Sequence, residues 1–175
     1  DDAHPTLNGS APAGTYVKIY DNGTQVGGTW ADSNGHWAYV PGAGLVDGPH
    51  SFTVTATNSA GTVSPVSGPY GIIVDTVAPN APVISSVSDD VGSGQGTVAN
   101  GGQSDDPTPS LTGTAEAGST VQLYDGAALL GSTTADSNGQ WSFTPATGLT
   151  EGPHSFTAVA TDAAGNRSGA SSAYD

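Results

Sequence analysis

The sequence predicts an all-β chain made of two tandem sandwiches with about seven strands each. Three observations predict it: the chain repeats itself once, its apolar residues alternate over short stretches, and glycine- and proline-rich turns separate those stretches.

The repeat comes first. Displaced by about 104 residues, Asp1 to Tyr70 aligns with Asp105 to Tyr174 without a gap, and about half of the positions are identical. Matched landmarks include Asp1-Asp2 with Asp105-Asp106, Tyr20-Asp21 with Tyr124-Asp125, Asp32-Ser33-Asn34-Gly35 with Asp136-Ser137-Asn138-Gly139, and Gly48-Pro49-His50 with Gly152-Pro153-His154. A period of that size is a whole domain. We therefore divide the chain into a first module, residues 1–78 with the connection, and a second, residues 79–175.

In the second module the β-branched and aromatic residues predict strands at 82–88 (A), 109–115 (B), 119–125 (C), 129–135 (D), 140–145 (E), 154–161 (F) and 168–174 (G). Alternation in Thr120-Val121-Gln122-Leu123-Tyr124 gives one apolar face, as in a sheet buried on one side. Asn34-Gly35 and Asn138-Gly139 are expected to make D–E hairpin turns, where positive φ is needed. Trp37 and Trp141 follow those turns and are expected as core anchors. Nothing precedes Asp1 to match strand A, so the first module is expected to start at its strand B, at a fragment boundary. Between the modules, Val74 to Pro82 is short and restricted by Pro79 and Pro82, which predicts a stiff connection.

Composition narrows the partners. Sixteen acids face two bases, Lys18 and Arg167, for a formal net charge of −14, so nucleic acid is a poor partner. Such an excess repels itself unless solvent, salt or bound cations offset it, which points toward divalent metal or, more plainly, toward a solvated acidic surface. The chain has no cysteine, so no disulfide staples it. Its apolar runs are too short for membrane insertion and no leader precedes them, so an export signal is expected outside this segment.

With these pieces in place, the chain resembles the bacterial Ig-like repeats of giant calcium-dependent adhesins, the type I-secreted, biofilm-associated RTX proteins of Gram-negative bacteria. The carrying motifs are Val74-Asp75-Thr76-Val77-Ala78-Pro79, Ser88-Asp89-Asp90-Val91-Gly92, Ala115-Glu116-Ala117-Gly118-Ser119, Asp136 to Trp141, Gly152-Pro153-His154-Ser155 and Ala160 to Asn166. The resemblance implies immunoglobulin-like sandwiches of Greek-key topology and calcium (Ca2+) at or near module junctions. It also implies a non-catalytic stalk at the bacterial cell surface, active in adhesion or biofilm formation. Such a segment is monomeric; its partners are neighbouring repeats of the same chain, with any host or biofilm ligand bound through other regions.

In an immunoglobulin-like sandwich the B–C, D–E and F–G loops gather where strand A enters. Oxygen ligands available there are Asp75 in the connection, Glu116, Asp136, and Asp162 with Asn166; carbonyls and water would complete a calcium site. The first module has Pro12, Asn58 and Thr62 opposite Glu116, Asp162 and Asn166, a joint loss that a shared site predicts. Asp32 persists opposite Asp136, which marks Asp136 as a turn former. The alternative is that Asp162 and Asn166 only shape the F–G turn. A second acidic set, Asp89-Asp90 and Asp105-Asp106, brackets the glycine-rich A–B connection; calcium would close that neck, or the acids are solvated around an open loop.

Other motifs fail. The Asp-Ser-Asn-Gly segments lack the closing glutamate of an EF-hand, with Ala43 and Thr147 in that place, and Gly101-Gly102-Gln103-Ser104-Asp105 is a single echo of the calcium-binding nonapeptide. His50 and His154 follow Asp47 and Glu151 at one spacing, which we read as structural because no nucleophile context accompanies it. Lys18 aligns with Gln122, so no lysine is available for an isopeptide bond at the matched place. Two further readings are a host glycan- or protein-binding module, with Trp30 as its exposed candidate opposite Thr134, and an accessory domain of a secreted polysaccharide-degrading enzyme.

Overall fold

The computed structural model describes residues 2–175; Asp1, matched with Asp105 in the repeat, lies outside them. Two compact units divide the chain between Thr76 and Val77.

In the first unit, β1 (Leu7–Ser10) pairs with β4 (His36–Tyr39), and β3 (Thr24–Trp30), β2 (Tyr16–Asp21), β5 (Gly48–Thr57) and β6 (Tyr70–Val74) form a second sheet in that order. The alternation of β2 decides which side faces in. Val17 and Ile19 are fully buried beside Phe52 and Ala31, while Tyr16, Lys18 and Tyr20 lie on the other face. Each such buried aliphatic contributes about 1.5–3 kcal/mol.

The second unit repeats the plan with more of its first sheet. Here β12 (Gln140–Phe143), β9 (Ser110–Thr114), β7 (Val83–Asp89) and β8 (Gly96–Val98) make one sheet, and β11 (Ala128–Thr134), β10 (Thr120–Asp125) and β13 (Phe156–Thr161) the other. Leu111, Val121, Leu123, Trp141, Phe156 and Ala158 fill the space between. Each unit is thus an immunoglobulin-like all-β sandwich, and no described helix is long and apolar enough to cross a membrane.

The tryptophans do anchor the cores, and glycine makes room for them. Trp37 stands opposite Gly9 in the β1–β4 register, and Trp141 opposite Gly113 in the β9–β12 register. A Cβ on Gly9 would lie 2.6 Å from the Trp37 ring; one on Gly113 would collide with the Trp141 ring and with the Val83 carbonyl.

Three expectations are corrected. The Asn-Gly segments do not close hairpins: β3 and β4 belong to different sheets, as do β11 and β12, so each turn carries the chain from one sheet to the other. Only the glycines there have positive φ, 82° at Gly35 and 76° at Gly139. The primed hairpin is at Asn22-Gly23, φ 48° and 81°, between β2 and β3. Strand G is not continuous over 168–174. The segment instead touches β13 through isolated bridges at Arg167 and Tyr174 and is stitched by Ser168 and Ser171, whose hydroxyls accept the Ala160 and Ala158 amides at 2.9 and 3.0 Å. Ser64 and Ser67 do the same for Ala56 and Val54 in the first unit. Finally, β8 arises inside the glycine-rich A–B connection, where no strand is expected.

Candidate functional site

Strand β7 ends on Asp89, whose register partner is Gly96 of β8, so the A–B connection folds back over its own base. Asp89 is buried; its carboxylate accepts the Ser104 hydroxyl at 2.6 Å, the Asp105 amide at 3.3 Å and the Val91 amide at 3.0 Å. Those donors, the Ser104 hydroxyl foremost and then the Val91 amide, hold its pKa below the ordinary aspartate value. Asp106 is buried too, accepting the Thr108 amide at 2.8 Å and the Asp90 amide at 3.5 Å. The Asp105 carboxylate lies where a side chain on Gly92 would have to pass. Asp89, Asp90, Asp105 and Asp106 are therefore tied together at one neck, and the donors that offset the two buried carboxylates are neutral amides and hydroxyls. Among the described residues no three His, Cys, Asp or Glu side chains group closely enough to hold a metal ion by themselves.

The loops at the other candidate site can be compared with their counterparts in the first unit. Asp136 accepts the Asn138 and Gln140 amides at 2.8 and 2.9 Å, and Asp32 accepts those of Asn34 and His36, both at 2.8 Å. Both aspartates build the same turn. Asp162 accepts the Asn166 amide at 2.8 Å through one oxygen and the Asn166 side-chain amide at 2.9 Å through the other. Burial pushes its pKa up, but hydrogen bonds from Asn166, Ala164 and Gly165 outweigh that and leave it lowered. In the first unit Asn58 closes the matching turn, accepting the Ala60 and Thr62 amides at 3.0 and 2.9 Å. The turn therefore needs an oxygen acceptor and does not need a charge, so the charge on Asp162 is additional to the fold. Glu116 is exposed; its backbone carbonyl accepts the Ser119 amide and hydroxyl at 3.1 and 2.7 Å. Asp75 is half-buried just past β6 in the first unit.

The histidines have partners that adjacency in sequence does not indicate. His50 Nδ1 meets Asp21 Oδ2 at 2.6 Å and Nε2 meets the Val46 carbonyl at 2.8 Å; His154 repeats this with Asp125 at 2.7 Å and the Thr150 carbonyl at 2.8 Å. With an acceptor at each nitrogen, both rings must donate twice, which favours the imidazolium. The pKa of His50 is raised by the Val46 carbonyl first and Asp21 second, that of His154 by Asp125 and then the Thr150 carbonyl. Asp47, the sequence neighbour of His50, instead accepts the Thr76 amide and hydroxyl at 3.0 and 2.9 Å. The repeated Tyr-Asp pair was the signal that marked the true partner.

A sequence profile described as bacterial Ig-like domain matches residues 1–76 and again residues 80–174. No curated protein matches the chain. Similar solved structures include the fibronectin(III)-like modules of Clostridium thermocellum CbhA, with 15% identity over 94% of this chain and 81% of that one, TM-score 0.49. Another is a Ca2+-stabilised adhesin with which an Antarctic bacterium reaches out and binds ice, 28% identical over 97% of this chain and 42% of that one, TM-score 0.46. A 1.5-MDa bacterial ice-binding adhesin is 25% identical over 98% of this chain and 56% of that one, TM-score 0.43. The chain thus spans less than two thirds of either adhesin structure.

Proposed function

We propose, for a chain that belongs to the bacterial Ig-like domain family along both of its units, that it is a non-catalytic extender of a larger bacterial surface adhesin, stiffened by calcium. The observation that carries this reading is what the two units share. The repeated residues hold the sandwich: Trp37 and Trp141 in the cores, Asp32 and Asp136 in the turns, the pairs Asp21–His50 and Asp125–His154 across the sheet. Exposed side chains such as Trp30 and Thr134 differ. A spacer needs a repeated scaffold and no repeated ligand site. Both nitrogens of each histidine are engaged, so neither is placed as a proton-transfer group.

Calcium, when bound, would neutralise carboxylates that otherwise repel one another. Asp89, Asp90, Asp105 and Asp106 would hold it at the A–B neck. Asp162 and Asn166 would hold it among the loops that also carry Glu116 and Asp136, and Asp75 is the remaining acid of the proposed set. The setting is extracellular, in the type I-secreted RTX class, with neighbouring repeats as partners. Calorimetric titration of the chain with calcium chloride, together with single-molecule extension with calcium and with chelator, tests the reading. Saturable calcium binding and a higher unfolding force in calcium are expected. Absence of binding, or forces unchanged by chelator, would overturn the calcium role; unfolding without measurable resistance in both conditions would overturn the extender.

A further inference from the structure

Trp30 is 64% exposed at the end of β3, whereas Trp37 and Trp141 pack in the cores. Tyr16 faces Trp30 across the β2–β3 register, and the two rings meet edge to face with centroids 5.1 Å apart at 61°. Tyr16 in turn lies over Gly28, where a Cβ would come within 2.5 Å of the phenol oxygen. The indole is therefore braced by a ring that itself packs against Gly28, and most of the indole surface is open to solvent. Lys18, the one base of the first unit, is the next residue on the same face of β2. The matched pair in the second unit, Thr120 and Thr134, occupies the same register positions. Both aromatics are thus replaced together at a place where the fold accepts two threonines, so the sandwich does not require them.

We propose that Trp30 and Tyr16 form a stacking site for a neutral pyranose ring of an extracellular glycan. The size and charge of the patch select this occupant. Two rings with Thr57 and Lys18 beside them offer far less than the roughly 800 Å² per partner of a standard protein interface. A net charge of −14 also opposes a second copy of the chain or a polyanionic glycan. A pyranose presents one ring-sized apolar face of C–H groups bordered by hydroxyls, which matches one open indole face bordered by polar side chains. The site is independent of the extender reading and adds to it a lateral contact from the first unit alone.

The other two tryptophans pack in the cores, so the exposed Trp30 indole is separable by its fluorescence and its N–H resonance. The test titrates the whole chain with neutral hexasaccharides of β-linked glucose, mannose, galactose and N-acetylglucosamine, following both signals. A saturable shift of the Trp30 indole is expected for at least one sugar, and the affinity measured in parallel by calorimetry should be weakened about tenfold or more in Trp30→Thr and retained in part in Trp30→Phe. Because threonine is the residue the second unit carries at the matched position, Trp30→Thr keeps the fold. Thr120→Tyr combined with Thr134→Trp is expected to create a second site. Stacking on the C–H face of a pyranose tolerates a single axial hydroxyl, so a chain that shifts with none of the four overturns the proposal. An equal calorimetric affinity in Trp30→Thr overturns it as well, and so does a concentration-dependent dimer abolished by Trp30→Thr.

Discussion

His50 and Asp21, 29 residues apart in sequence, meet at 2.6 Å because β2 and β5 pair with Asp21 opposite Phe52, and the imidazole stacks on the Phe52 ring at 6.0 Å. The second unit repeats the contact with His154, Asp125 and Phe156. The sign of the pH dependence follows from the raised histidine pKa values. A group whose folded pKa is raised stabilises fully below its unfolded value of 6.5 and loses that contribution as pH rises through the folded value. Asp89, lowered chiefly by the Ser104 hydroxyl, contributes above its unfolded value of 3.8 and loses it as pH falls through the folded value. Melting temperature should therefore fall above neutrality and again in strong acid. Thermal scans across pH, with imidazole resonances followed in parallel, measure both limbs; a flat profile from pH 6 to 9 would contradict the histidine assignment.

Removing one partner is the sharper test. His50→Ala leaves the Asp21 carboxylate largely buried without its counter-charge, at a cost of about 3 kcal/mol. His154→Ala should cost less, because that pair is more exposed, 20% and 23% against 5% and 13%. Denaturant unfolding of the two variants gives the order directly.

The glycine slots predict a second asymmetry. Gly113→Ala must displace both the Trp141 ring and the Val83 carbonyl, and overpacking of this kind costs about 1–3 kcal/mol. Gly9→Ala meets only the Trp37 ring, which can tilt, and should fall at or below the lower end. Equal losses in chemical denaturation would mean that the indole, and not the backbone, sets the limit.

The serine stitches give a third comparison. In Ser168→Ala the amide of fully buried Ala160 loses the acceptor Ser168 Oγ, with a penalty of about 1–3 kcal/mol. Ser64→Ala exposes the half-buried Ala56 amide to the same loss, and water can reach it, so a smaller penalty is expected. Amide hydrogen exchange at Ala160 and Ala56 should rise in the respective variants.

Calcium removal separates the units. The acids at issue in the A–B neck and the F–G turn belong to the second unit, so chelator should lower its melting point and leave the first nearly unchanged; at a hundredfold excess over Kd the linkage is about 2.7 kcal/mol. Asp162→Asn keeps the turn, as Asn58 demonstrates, and should remove only the charge-dependent part. Asp105→Asn should remove a separate part at the neck. Full calcium dependence in both variants would show these acids to be solvated surface.

β-Branched and aromatic content located strands A to F, and alternation in strand C marked its buried face. What these signals misplaced has a physical cause in each case. The G segment carries its hydrogen bonds on serine side chains, which no propensity registers as a strand. The Asn-Gly turns look like hairpins locally, yet their flanking strands find partners in opposite sheets through non-local pairing. The histidine partners lie across a strand pair and not next along the chain. For the acids, the contrast between Asn58 and Asp162 shows that the turn needs an acceptor and not a charge; the first unit supplies a comparison that a single domain would not.

The same serines have an effect on the outer side of the sheet. Each one turns its hydroxyl hydrogen onto the carbonyl of the residue after it: Ser64 onto Pro65, Ser67 onto Gly68, Ser168 onto Gly169 and Ser171 onto Ser172, at 2.7 to 2.9 Å. Pro65 has no amide hydrogen at all. In each unit an incoming strand would find those acceptors already engaged by one hydroxyl, and at Pro65 no donor, so fewer free groups remain for intermolecular pairing. Chains crowded side by side would thereby meet side-chain hydroxyls in place of part of an open backbone ladder, with no lysine spent as a gatekeeper.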